Sequence, residues 1–111
     1  WVIPKIMGLR PKDPRVTVTV TGGLNRPPME RNHQNVALFH LARSVGMEMG
    51  MQLTESGTGG GSDGNFTSAL GIQTLDGLGP VGGGAHARDE YLLVSSLPER
   101  ASVVAGVLLN L

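Results

Sequence analysis

The residues best able to do chemistry in this chain are one histidine and two runs of glycine. His86 follows three consecutive glycines and precedes Ala-Arg-Asp-Glu-Tyr. A loop of small residues can present an imidazole outward, and Asp89 or Glu90 can take its second ring N–H. That pattern suits a metal ligand supported by a carboxylate; the competing reading is a polar surface histidine. His33 and His40 lie two turns apart on one helical stretch, too far to share a metal, and read as solvated or packing side chains.

The first glycine run, residues 56–65, reads Ser-Gly-Thr-Gly-Gly-Gly-Ser-Asp-Gly-Asn. With so few Cβ atoms its backbone can approach a ligand and aim N–H groups at it; a flexible surface turn is the alternative. The second run contains Gly77-Leu78-Gly79-Pro80-Val81-Gly82, which matches a dinucleotide-binding pattern by letter only. Pro80 removes an N–H from the cradle, and Gly83-Gly84 continues the loop where a helix should begin. The Asn65-Phe66-Thr67 sequon carries no weight without an export signal.

Several elements must hold these loops. An apolar piece over residues 3–9 reads as helix, with Pro4 tolerable only near its start. Residues 15–21, Arg-Val-Thr-Val-Thr-Val-Thr, alternate with a period of two and predict a half-buried strand. Pro27 and Pro28 then force an extended path, read as a domain hinge. From Asn32, an N-cap candidate, the period becomes helical, with Leu38, Leu41, Ala42 and Val45 on one stripe and Gly46 near the end. Short strands are expected at 51–55 and 72–75, with helical turns at 66–70 between them. Ser96 and Glu99 suggest a capping box, with Pro98 in the first turn, for a last helix faced by Val103, Val104, Val107, Leu108 and Leu111. This alternation predicts an α/β layer with parallel strands. So few elements bury little apolar area, so either the helical faces around 38–45 and 103–111 are covered by another chain or the segment is poorly stable.

Composition narrows the classes. The 111 residues are 40% hydrophobic and 16% charged, with nine basic against nine acidic side chains. A neutral chain has no net field for nucleic acid or an anionic membrane, and no apolar run approaches a bilayer span. Without cysteine there is no disulfide and no thiolate metal site. The compartment stays open between cytoplasm and periplasm. The start, Trp-Val-Ile-Pro-Lys, lacks an initiator Met and a leader pattern and is expected to lie inside a longer protein.

Taken together, the segments resemble the C-terminal part of the dizinc glutamate carboxypeptidase/aminoacylase family. Residues 59–65 are similar to its glycine-rich Ser/Thr-Asp loop. Gly79-Pro80, with His86 and Glu90 beyond, resembles its Gly-Pro…His-x-x-x-Glu signature, and Asn25-Arg26-Pro27-Pro28 stands where its lid returns to the catalytic body. The resemblance implies that residues 1–27 end a lid (dimerisation) domain plus hinge. Residues 28–111 would form the C-terminal half of an α/β zinc-peptidase domain. It further implies His86 as a ligand to one of two zinc ions (cobalt is possible), and Arg26, Gly59, Gly60 and Gly61 as substrate-facing positions. Glu90 would orient its surroundings without touching metal. The reaction implied is hydrolysis of a peptide or N-acyl amide bond next to a free carboxylate. The partners implied are the N-terminal remainder, a small peptide or N-acyl amino acid, and a second copy through the lid. The family's other ligands and general base have no match here, so this segment alone should be inert. The runner-up is a non-catalytic binding or oligomerisation domain derived from the same fold.

Overall fold

Pro4 falls in the first turn of a short helix, α1 (Val2–Met7), where a missing N–H is harmless. The structure, a computed structural model, describes residues 2–111, so Trp1, the first residue of the expected lid segment, lies outside the described residues. Residues 9–32 form neither helix nor paired strand. The alternating run at 16–20 is extended, but Val16 and Val18 are exposed and no neighbour hydrogen-bonds to it as a strand, so the expected strand is unpaired here. Period-two patterning supplies a face; a ladder also needs a partner.

Asn32 caps the main helix, α2 (His33–Glu48), as expected: its backbone is extended and its side chain accepts the Asn35 N–H at 2.9 Å. A short helix, α3 (Gly64–Ala69), follows the first glycine run. The last helix, α4 (Ser96–Leu109), starts at Ser96 itself, and the capping box does not form. The Ser96 hydroxyl is already engaged, donating to the Leu93 carbonyl at 2.6 Å and accepting the Val81 N–H at 2.9 Å. Ser96 therefore ties the helix start to the preceding hairpin.

That hairpin is the whole of the paired sheet among the described residues. Strand β1 (Gly82–Gly83) runs antiparallel to β2 (Tyr91–Leu92), with Gly82 opposite Leu92 and Gly83 opposite Tyr91. The expected parallel strands at 51–55 and 72–75 do not pair; both run alongside α2 as extended chain. Neither has a strand neighbour, so no parallel layer forms among the described residues.

The core sits between α2 and α4. Ala42 and Val45 meet Val103 and Val107, with Leu38, Leu41, Met51, Leu53 and Leu75 packed around them. Val103 and Val107 are thus covered by α2, whereas Val104, Leu108 and Leu111 of the same expected face stay exposed. The outer side of α4 is open: Leu108, Leu109 and Leu111 are 66–86% exposed. The surface of 8730 Å² compares with roughly 5,800 Å² for a compact monomer of this mass. The radius of gyration of 19.5 Å likewise exceeds the roughly 13 Å of a compact domain of this length. A four-residue core leaves most apolar side chains half-wet. Among the described residues no helix is long and apolar enough to cross a membrane.

Candidate active site

The first glycine run forms one wall of an open cavity of about 1270 Å³. Arg26, Pro27 and Arg31 come from the hinge side, Gly59, Gly60 and Gly61 from the loop, and Asn35 from the first turn of α2. Four of the expected site residues, Arg26 and the three glycines, therefore line one cavity.

Arg26 is held from three directions. Its guanidinium carbon lies 4.8 Å from the centre of the Phe66 ring, a cation–π distance, and its Nη2 lies 3.2 Å from Asp63 Oδ1. Its Cδ packs so closely on Gly61 that a Cβ there would come within 3.0 Å. Only glycine admits that approach without moving the arginine. The cavity thus holds a cation beside the Gly59–Gly61 backbone, where the Gly60 N–H donates to Thr58 Oγ1 at 3.2 Å. Asp63, almost fully exposed, is the carboxylate Arg26 now meets.

The loop is braced by side chains that composition alone did not single out. Ser62 Oγ accepts the Gly64 N–H at 3.0 Å, and Asn65 accepts the Ser62 N–H at 2.9 Å while donating to the Pro27 carbonyl at 2.7 Å. The buried Asn35 carboxamide donates to Ser68 Oγ at 2.8 Å and to the Glu30 carbonyl at 3.0 Å, and accepts the Thr74 N–H at 2.9 Å. An asparagine in the first turn of a helix and another just past Asp-Gly were the available signals: both places favour side chains that bond to nearby backbone.

Across the same hinge, Arg31 forms a two-pronged pair with Glu55 at 2.7 and 3.0 Å. Hydrogen bonds from the guanidinium hold the Glu55 carboxyl below its ordinary range and raise Arg31 further. A depressed carboxylate favours the folded state above its unfolded pKa, and that contribution is lost as pH falls through the lowered value. In an NMR titration, Glu55 is therefore expected to titrate below a free glutamate and to move back up in Arg31→Met. An unmoved Glu55 in that variant would contradict the pair. Both side chains are solvated, so the melting temperature at neutral pH should hardly change.

His86 occupies a different place. It stands in the turn joining β1 to β2, exposed, and lines neither this cavity nor the smaller one beside Glu90 and Tyr91. The resemblance implies one site for the zinc ligand His86 and the substrate-facing Arg26 and Gly59–Gly61, and the structure does not bring His86 together with them. The turn is held by bonds of its own, Ala87 N–H to Gly84 O at 2.8 Å and Glu90 N–H to Ala87 O at 3.3 Å. Neither Asp89 nor Glu90 hydrogen-bonds to the imidazole. The backbone of His86 is informative: φ is 67°, the left-handed region, and His86 is the one non-glycine residue there among those described. Such a conformation is unfavourable for a side chain with a Cβ, and residues held in it cluster where function fixes geometry. The His86 imidazole is exposed to solvent. Among the described residues no group of three or more His, Cys, Asp or Glu side chains gathers to complete a shell.

Against known proteins, the family model described as peptidase family M20/M25/M40 matches residues 4–110. A succinyl-diaminopimelate desuccinylase of Stutzerimonas stutzeri (strain A1501) is 37% identical over 71 residues, covering 64% of this chain and 18% of that enzyme. The similarity therefore spans less than a fifth of the relative's length. No solved structure matches the chain significantly. A mixed α/β peptidase domain fits a family match of this extent. The chain belongs to peptidase family M20/M25/M40.

Proposed function

We propose that this chain is the C-terminal part of a zinc-dependent hydrolase that cleaves a peptide or N-acyl amide bond next to a free carboxylate. The observation that carries the proposal is His86, an exposed imidazole held with a positive φ at the tip of a glycine hairpin. Strain of this kind persists where a side chain has work to do in one orientation. His86 would hold one zinc, and the other ligands and the general base would come from the remainder of the protein, since one imidazole does not retain zinc. When bound, zinc supplies a Lewis acid and a water of lowered pKa. This chain's own share is recognition. Arg26 and the N–H groups of Gly59–Gly61 receive the substrate carboxylate, displacing Asp63 from the guanidinium.

Residues 1–27 then end a lid domain, and 28–111 belong to the catalytic body, with the Pro27-Pro28 hinge between them. The exposed run at 16–20 gives the lid an edge through which two copies pair. The matched relative is named for removing a succinyl group, which favours an acyl group over a peptide on the carbonyl side of the cleaved bond.

The test is hydrolysis by the full-length protein of an N-acyl amino acid and of its C-terminal carboxamide. Activity is expected to vanish with chelation, to return with zinc, and to favour the free acid. Arg26→Ala should raise KM for the acid by roughly 10–100-fold with little change in kcat, as expected for one lost charge-assisted contact. Chelator-insensitive turnover, or equal turnover of acid and carboxamide, would overturn the proposal.

A further inference from the structure

We infer that Asn65 is a positioning residue: its one carboxamide bridges the hinge that carries Arg26 to the glycine loop and sets the spacing of the two halves of the carboxylate site. The inference rests on the recognition role proposed above for Arg26 and Gly59–Gly61.

The bridge is short and two-sided. Asn65 Nδ2 donates to the carbonyl of Pro27, 38 residues away and next to Arg26, at 2.7 Å; Asn65 Oδ1 accepts the N–H of Ser62, next to Gly61, at 2.9 Å. Asn is the shortest side chain with a donor and an acceptor fixed in one plane, so it can serve a carbonyl and an N–H together. Asn65 lies in the first turn of α3, beside Phe66, whose ring supports the Arg26 guanidinium. Hinge, loop and aromatic support are thus referred to two adjacent residues. Pro27 itself cannot donate, and its fixed φ leaves its carbonyl as a rigid anchor. Asn35 repeats the device deeper in the body, joining Glu30, Ser68 and Thr74. Asn65 is the one of the two that touches both flanks of the site.

The chemistry predicts a particular failure. Asn65→Asp keeps the acceptor for Ser62 and turns the donor into a second acceptor facing the Pro27 carbonyl, so the hinge moves off the loop while the loop keeps its bond. Binding of the carboxylate suffers, and chemistry at the metal does not.

The experiment compares kcat/KM for an N-acyl amino acid and its carboxamide in the full-length, zinc-loaded enzyme, for wild type, Asn65→Asp and Arg26→Ala. Asn65→Asp is expected to lower the acid-over-carboxamide ratio about tenfold, through KM, with kcat and zinc content kept, the size expected for a misplaced binding group. Should Asn65→Asp not yield folded protein, Asn65→Ser, too short to reach Pro27, is held to the same expectation. If Arg26→Ala collapses the ratio and the Asn65 variants do not, the bridge is overturned and the recognition role of Arg26 survives. An equal fall for both substrates would make Asn65 merely structural and also overturn the inference. If Arg26→Ala leaves the ratio intact, the carboxylate site itself is overturned, and the inference with it.

Discussion

Replacing His86 with alanine in the full-length, metal-loaded protein is expected to abolish turnover and release about one zinc per active site, because a tetrahedral centre does not tolerate losing a protein ligand. His33→Ala and His40→Ala should leave both quantities near wild type. His33 is the exposed first residue of α2, and the exposed His40 ring leans on Phe39 at 5.7 Å between centroids. The positive φ of His86 calls for a further control. Alanine at 86 would lose the ligand and still carry the strain, whereas glycine would lose the ligand and relieve it. If His86 served only to shape the hairpin, His86→Gly would restore activity. On the ligand account both variants are inactive and zinc-deficient, and His86→Gly is the more stable of the two. Retained zinc and turnover in both would overturn the ligand assignment of His86.

The second large effect is on folding. Gly106 lies on α4 where it crosses α2, and a Cβ there would stand 2.5 Å from Val45 Cγ1 and 3.3 Å from Met49 Cε. Helix propensity alone favours alanine over glycine by up to about 1 kcal/mol. Packing reverses the sign, since Val45 is buried between Ala42 and Val103 and has nowhere to go. Gly106→Ala is therefore expected to destabilise, and Gly106→Leu to cost about 3 kcal/mol or more by forcing the helices apart. Val45→Ala, harmful by itself, should partly rescue Gly106→Ala, giving a coupled double-mutant cycle. Chemical denaturation of the full-length protein measures all four. A Gly106→Ala variant more stable than wild type would show that the helices do not meet as described.

How much was legible beforehand follows from how local each signal is. The Asn32 cap of α2, the place of Pro4 and the absence of a helix after Gly82 are decided by neighbours in sequence, and the structure agrees with them. The strands at 16–20, 51–55 and 72–75 were read from patterning, yet pairing depends on partners that patterning does not identify. Ser96 had the letters of a capping box, but Val81 and Leu93 engage its hydroxyl first. Arg26 and the glycine loop, substrate-facing positions by resemblance, line one cavity. The amide that joins them, Asn65, was not singled out, because its hinge partner Pro27 lies 38 residues away. His86 was singled out for its flanking glycines, but its left-handed backbone is visible only in three dimensions.

The central claim, that His86 brings this chain into a zinc site completed by the rest of the protein, is tested most directly by crystallography of the full-length enzyme at the zinc absorption edge. The account predicts an anomalous peak about 2.0–2.1 Å from one His86 ring nitrogen, with the remaining ligands drawn from outside residues 2–111. A fully occupied zinc site with the His86 imidazole in solvent, beyond bonding distance of any metal, would contradict it.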